Sequence, residues 1–265
     1  MLNDLEIITK RYGQDIKILR VYAIGDVHVG SREFNERAVK KKIEIVKNDP
    51  WGVLSLCGDL GDYGLKNSKT NVYQEVLSPR EQQDYIYELF LPVAHKIIAA
   101  VPGNHEDRLV REVGICPLYD LCVLWGIPDV YRENMAITRL IFGKMKGSQQ
   151  NTFVLLTTHG STRNKHSKFI SHFDGVDACI SGHTHTPSYT PHGRIKVHGH
   201  GSRAVHVPYK EIVVDANLEV GGYGVKKEYE IAPPPELQYL ELSTYRESDS
   251  VRKVRKVMNY HSIQI

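Results

Sequence analysis

The sequence predicts an α/β protein in which strands alternate with helices and then give way to a β-rich close, the pattern of two packed sheets flanked by helices. Three observations carry this prediction. Short apolar runs recur that stop at Gly or Pro-Gly, of which Val53-Leu-Ser-Leu-Cys57 before Gly58 is the clearest. Segments with helical periodicity lie between those runs. From about Tyr189 onward the texture changes to alternating, β-branched, His- and Gly-rich sequence with no helical pattern of comparable strength.

In chain order, Ile16 to Gly25 reads as a first strand that ends at Asp26, and about Phe34 to Asn48 reads as an amphipathic helix. Val39, Ile43 and Val46 fall at i, i+4 and i+7 there, with Lys40 to Lys42 turned outward. Val53 to Cys57 is the next strand. After a polar, turn-rich stretch from Gly61 to Asn71, Ser78-Pro-Arg-Glu81 offers an N-cap, a proline at the first helical position and a capping-box glutamate. A helix should run from about Pro79 toward Leu91, where Pro92 ends or kinks it, because an interior proline removes a backbone bond and clashes with the preceding turn.

Ile97 to Val101 is a further apolar run, closed by Pro102-Gly103. Leu118, Leu121, Cys122 and Trp125, followed by Gly126, make a short core-facing helix with a glycine stop. Asp129 to Phe142 is strand-rich, Thr152 to Thr158 is a strand ending at His159, and Val176 to Ser181 is one ending at Gly182-His183. Arg194 to His198, Ala204 to Pro208 and Glu211 to Asp215 read as hairpin strands. Pro233 to Pro235 is a rigid connector, Leu237 to Ser243 returns as a strand, and the basic tail Val251 to Val257 suits a short helix or an edge strand.

With 265 residues, 41% hydrophobic and 25% charged, the chain reads as a single domain over 1–265 whose C-terminal part, from about 189, is β-rich. A net charge of +3 neither announces nor excludes a nucleic-acid partner. Cys57, Cys116, Cys122 and Cys179 have no C-x-x-C spacing, so reduced thiols are expected. No basic stretch followed by an apolar core opens the chain, and no run approaches the roughly 18 apolar residues of a membrane span, so a cytoplasmic protein without a membrane partner is expected.

The chemistry collects at the strand ends. Val53 to Asp62 presents Asp59 and then Asp62 at the carboxyl end of a strand, where ligands of open sheets gather. Four other stretches deliver complementary groups: Asp26 and His28, Asn104 and His105, His159, and His183 and His185. Any of these alone is better explained as a turn cap or a surface histidine pair; their recurrence after successive strands argues for one site. Carboxylate and amide oxygens mixed with imidazole nitrogens suit Mn, Fe or Zn better than Ca or Mg. So large a set fits two ions, with Asp59 shared between them through its two oxygens at a separation of about 4 Å.

The ordered series Gly25-Asp-Val-His28, Gly58-Asp-Leu-Gly-Asp62, Gly103-Asn-His-Glu106, Thr158-His-Gly160 and Gly182-His-Thr-His185 resembles the calcineurin-like metallophosphoesterase superfamily. The resemblance implies a four-layer α/β/β/α sandwich of two mixed sheets. It implies two divalent transition metal ions, Mn foremost and Fe, Zn or Ni as alternatives. Asp26, His28, Asp59 and His185 would hold one, and Asp59, Asn104, His159 and His183 the other. His105 is then a catalytic histidine that binds no ion, oriented by Asp62. Such a pair of ions lowers the pKa of a bridging water and neutralises phosphate oxygens during in-line attack, while His105 would protonate the leaving oxygen or stabilise the transition state.

Departures bear on substrate. The protein-phosphatase branch of the superfamily carries G-D-x-x-D-R-G and L-R-G-N-H-E, whose arginines clamp phosphate; Tyr63 and Pro102 stand in those places here. The intervals between ligands leave no room for a large cap. Arg32, Arg108 and Arg163, with Lys165 and Lys168, follow the ligand-bearing turns and could bind substrate at the rim. The expectation is therefore a phosphodiesterase or nuclease acting on DNA or RNA. The alternatives are a phosphomonoesterase or small-molecule (nucleotide) phosphatase, and an interaction subunit that has kept the fold without activity, against which every ligand position is filled. His198 and His200 form a rival H-x-H with no carboxylate beside it, and for Glu106 contact with the site and solvent exposure are equally open.

Overall fold

The computed structural model describes residues 4–66, 68, 72–143, 151–160, 166–197, 204–220, 234–246 and 254–265. Its strands are β1 (Ile8–Arg11), β2 (Ile18–Ile24), β3 (Gly52–Leu56), β4 (Ile97–Ala100), β5 (Met135–Phe142), β6 (Asn151–Thr158), β7 (Ala178–Ser181), β8 (Ser188–Lys196), β9 (Val205–Val213), β10 (Glu236–Arg246) and β11 (Val254–Gln264). The helices are α1 (Glu36–Asn48), α2 (Pro79–Phe90), α3 (Glu106–Val113), α4 (Pro117–Leu124) and α5 (His166–Ser171). A six-stranded sheet has the order β1-β5-β6-β7-β9-β8 and a five-stranded sheet the order β11-β10-β2-β3-β4. Both are mixed: β2, β3 and β4 run parallel, as do β6, β7 and β9, while β10, β11 and β8 add antiparallel pairs.

Strand periodicity explains the layers. Along β2, Val21 and Ala23 face the other sheet, where they meet Leu140, Phe153, Leu155 and Ile180; Tyr22 and Ile24 face the helices, where they meet Val39, Ile43, Ile86 and Phe90. Both faces are buried, which is why these strands read as continuous apolar runs. The outer face of the six-stranded sheet packs Leu156, Cys179 and Tyr209 against Ile170 of α5. The result is the expected α/β/β/α sandwich. Between the sheets, Ser55 and Thr157 share one buried hydroxyl hydrogen bond of 2.7 Å, so neither polar group is stranded in the core.

Local signals explain the element ends. Asn35 caps α1 by accepting from the Ala38 amide at 2.9 Å. Ser78 and Glu81 form the capping box of α2. At Pro92 the α-helix gives way to a tighter 3₁₀ turn over Leu91–Lys96. Gly126, in the left-handed region at φ 74°, follows α4. Cys57, Cys122 and Cys179 are buried, Cys116 is half-buried, and all four are free thiols. Among the described residues no helix is long and apolar enough to cross a membrane.

Several expectations are corrected. Lys42 does not point outward: it is 1% exposed, and its Nζ donates to Asp215 Oδ1 at 2.8 Å. Its aliphatic stem allows it to share the apolar face of α1 once a buried carboxylate receives its charge. Ala204 to Pro208 and Glu211 to Asp215 are not separate hairpin strands, because β9 runs unbroken through Pro208. It can do so because β7 pairs with β9 only from Lys210 onward, which leaves Pro208 paired on the β8 side alone. The tail forms β11, an edge strand paired with β10 along Val254 to Gln264, rather than a helix. β1, α3 and α5 had no counterpart in the sequence reading; Arg194 to His198 is described only as far as Lys196 of β8 and residue 197, and Pro233 lies outside the described residues.

Candidate active site

The parallel strands of both sheets end on the same side. The turns after β2, β3 and β4 carry Asp26 and His28, Asp59 and Asp62, and Asn104 and His105; those after β6 and β7 carry His159, His183 and His185. Backbone bonds lock the turns to one another. The Asp26 amide donates to Gly58 O at 2.9 Å, the amides of Val27 and His28 to Asp59 O, and Gly182 N to His159 O at 3.0 Å. The Asp26 carboxylate crosses between sheets and accepts from His183 N at 2.9 Å. Glycine is required where turns touch: a Cβ on Gly58 would lie 2.3 Å from Gly103 N, and one on Gly103 would lie 2.1 Å from Asp59 Oδ1.

The turns are strained. Among the described residues, positive φ outside glycine occurs at Asp26, His28, Asp59, Tyr63, His183 and His185, at 44° to 74°. Such residues cost of order 1 kcal/mol each and persist where the surroundings over-determine them. Strain concentrated on these side chains is itself a mark of a functional site.

Two groups of donors form within this cluster. In the first, His28 Nε2 lies 3.2 Å from His185 Nε2, and His185 Nε2 lies 3.2 Å from Asp26 Oδ1. In the second, His159 Nε2 lies 3.2 Å from Asn104 Oδ1, 3.2 Å from His183 Nδ1 and 3.3 Å from Asp59 Oδ2. Ligand atoms about 2.1 Å from one ion and at right angles to each other stand about 3 Å apart, so both groups fit a divalent ion. Asp59 Oδ2 faces each of them, at 3.3 Å from His159 Nε2 and 4.0 Å from His28 Nε2, whereas its Oδ1 accepts from His105 N at 2.8 Å. Asp59 therefore presents one oxygen, Oδ2, to both sides. The far nitrogens of the rings are tied as metal-binding imidazoles are: His159 Nδ1 to Cys57 O at 2.7 Å and His28 Nδ1 to Asp62 Oδ1 at 3.2 Å. The donor set suits a dinuclear divalent site.

His105 stands at the edge of these groups: its Nε2 lies 3.8 Å from Asp59 Oδ2, and with His28 and Asp59 it makes a third set of donors within 4.8 Å of one another. Arg108 Nη2 lies 3.0 Å from its Nε2, and a guanidinium only donates, so Nε2 is the acceptor and Nδ1 carries the proton. Nδ1 then donates to Asp62 O at 2.7 Å, with Asp62 Oδ1 at 3.0 Å. Asp62 thus holds two rings, His105 and His28. Burial raises its carboxyl pKa, but the hydrogen bonds and charges of those rings outweigh burial and hold it well below the usual range. In the same way the imidazoles around Asp59, His159 first, keep that carboxyl ionised against its burial.

Burial also opposes charge on His159, yet Asp59 and then Asp26 push its pKa up to about 10, and Asp26 raises that of His185. The metal-free chain therefore holds a proton on His159 at neutral pH, which an ion bound there would displace. Mn²⁺ uptake at pH 7 is expected to release protons, with apparent affinity rising as pH rises and removes the competitor. Calorimetry in two buffers of different ionisation enthalpy counts the protons, and zero release would contradict this account.

Of the rim residues, Arg108 reaches His105, whereas Arg32 is exposed with its Nε donating to Gln74 O at 3.0 Å. Arg163 and Lys165, together with His198 and His200, lie outside the described residues, as does the side chain of Lys168. Two residues enter that the sequence reading did not place. Glu106 is buried behind Asp59. Asn217 is fully buried and fixes the Asp26 turn, its amide donating to Asp26 O at 2.9 Å and its Nδ2 to Gly25 O at 2.8 Å. The Asn217 signal was absent because it lies far from every motif in sequence.

Two mixed sheets with a cluster of metal-ligating donors at their shared strand ends define a metallophosphoesterase architecture. The family model for calcineurin-like phosphoesterases matches residues 19–187, and the chain belongs to that family. Among solved structures it is similar to the calcineurin-like phosphoesterase YfkN from Bacillus subtilis, at 13% identity over 93% of this chain and 91% of that one, with a TM-score of 0.44. It is similar also to a metallophosphoesterase from Sphaerobacter thermophilus, at 18% identity over 93% and 89%, with a TM-score of 0.40. Vps29 from Chaetomium thermophilum aligns at 8% identity over 93% and 98%, with a TM-score of 0.39. No curated protein matches the chain.

Proposed function

We propose that this phosphoesterase is a phosphodiesterase acting on nucleic acid. Asp26, His28, Asp59 and His185 hold one divalent ion, Asp59, Asn104, His159 and His183 hold the other, and His105 is the catalytic histidine. Mn is the favoured metal for a set of two carboxylates, one amide and four imidazoles. When bound, the ions supply Lewis acidity toward the phosphate oxygens and an activated water.

The observation that carries the diester reading is the guanidinium arrangement. Tyr63, at the place of one clamp arginine in the protein-phosphatase branch, is 1% exposed and packs its ring on Gly61, so it takes no part in gripping phosphate. Pro102 cannot replace the other. Arg108 is the cation that the described residues bring to His105, and one guanidinium matches the single charge of a diester better than the dianion of a monoester.

The protein groups divide the work. Asp62 orients the His105 ring through Nδ1; burial opposes charge on the ring, but Asp62 raises its pKa overall, so Nε2, once free, takes up a proton from water and delivers it to the leaving oxygen. Arg108 rests on Nε2 in the free chain and transfers to the substrate phosphate, which frees Nε2 for that role. Arg32, exposed at the rim, meets a flanking phosphate of a polymer.

The test compares kcat/KM on an aryl phosphodiester and an aryl phosphomonoester with Mn, and then cleavage of single- and double-stranded DNA and of RNA at low and high salt. A diester preference with salt-sensitive nucleic-acid cleavage is expected. A strong monoester preference without such cleavage would assign the site to a small-molecule phosphatase, and no metal-dependent turnover on any ester would favour a binding subunit.

A further inference from the structure

We propose that Glu106 is a positioning residue that sets the separation between the turn that carries the shared ligand Asp59 and the turn that carries Asn104; this rests on the reading that the site holds two ions. Glu106 opens α3 immediately after His105 and is 1% exposed. Its Oε2 accepts from Asp59 N at 2.9 Å and from Gly103 N at 2.8 Å, and its Oε1 accepts from Leu60 N at 2.7 Å. One carboxylate therefore staples the turn that carries Asp59 to the turn that carries Asn104 and His105. The staple acts where those turns are already in backbone contact, at Gly58 against Gly103. The Asp59 side chain returns a bond to the same turn through His105 N, so Asp59 is gripped at its amide by Glu106 and at Oδ1 by His105. Only Oδ2 is left facing both donor groups, and its position is fixed by this pair of contacts.

Charge argues that this is more than a clip for two loops. A buried anion is costly, and a second anion beside Asp59 adds repulsion that a neutral acceptor would avoid. Asp26, Asp59, Asp62 and Glu106, all buried, gather at this end of the sheets. In the free chain the imidazoles of His28, His105, His159 and His185 offset the charge of the three aspartates, and divalent ions bound to the groups in front of them would do so more fully. Glu106 thus contributes reach: its two oxygens match three donors directly behind the shared ligand.

Two conservative replacements break the staple in different ways. Glu106→Gln preserves length but turns an acceptor into an NH₂ that opposes a backbone N–H. Glu106→Asp preserves charge but is shorter by one methylene, about 1.5 Å, and cannot span both turns. Mn²⁺ is titrated into metal-free wild type and both variants, with free Mn²⁺ read by electron paramagnetic resonance and the spin-coupled signal of the loaded protein recorded. Wild type should take two ions with a coupled spectrum. Each variant should take one ion normally and the second about ten- to a hundredfold more weakly, with the coupled signal lost or altered. A purely structural clip would lower the melting temperature without changing the coupling. Two ions bound with wild-type affinity and coupling in both variants would overturn the proposal alone, as would the absence of a cooperative melt in both, since the staple would then serve folding. A wild type that takes no more than one ion would overturn the two-ion reading, and the proposal with it.

Discussion

Replacing His105 by alanine is expected to leave both ions bound while lowering turnover on a phosphodiester by about a hundredfold or more. In the proposed assignment the ring acts on substrate rather than on an ion, with Nε2 3.0 Å from the Arg108 guanidinium and Nδ1 2.7 Å from Asp62 O. What His105 gives the metal region is its backbone amide on Asp59 Oδ1, and that bond survives truncation of the side chain. Asp62→Asn should fall between wild type and His105→Ala, since the Asp62 carbonyl still holds His105 when the carboxylate is gone. It should also weaken ion binding modestly, because Asp62 Oδ1 orients His28 as well. Single-turnover rates with metal analysis check both. His28, Asp59 and His105 do present donor atoms within 4.8 Å of one another, so loss of an ion from His105→Ala would show that His105 is a ligand.

The sequence made the donor set legible because every donor lies in a short motif just past an apolar strand, and strand ends are fixed by local periodicity. Asp59, Asn104 and His183 could be named without knowing how the sheets pack. The conformations that aim them could not be read. Left-handed backbone at Asp26, His28 and His185 is fixed by bonds between turns that are distant in the chain; Asp and His tolerate that region better than most residues, but their identity does not say which of them adopts it. Glu106 shows the same limit from the other side: an acid after a histidine looks alike whether it faces solvent or three amides of neighbouring turns. Helix α3 was missed because its charged sequence buries only Glu106 and Leu109, too few residues to make a period. Pro208 read as a strand end because the extent of β7, which relieves it of a partner on one side, is not a local property.

Lys42→Ala is expected to destabilise the protein by about 3–5 kcal/mol, the cost of leaving a buried charge without its partner. Lys42 and Asp215 meet at 2.8 Å with side chains 2% and 7% exposed. Burial drives the lysine pKa down and the aspartate pKa up, each against the pull of the partner's charge, so desolvation outweighs attraction and the pair itself adds little net stability. The cost should therefore be conditional. Lys42→Met combined with Asp215→Asn, which removes both charges but keeps an acceptor for the Glu236 amide, should recover most of what Lys42→Met alone loses. Urea unfolding of the four proteins of this cycle and of Lys42→Ala reads both effects, and a loss below about 1 kcal/mol in Lys42→Ala would mean that Asp215 finds water or a proton at little cost. The consequence reaches the active site along the chain: Asp215 is two residues from Asn217, whose amide and Nδ2 hold Asp26 and Gly25 in their strained turn. A variant that frees residues 215–217 should therefore bind its ions more weakly even at temperatures where it remains folded, whereas the double variant should bind them normally.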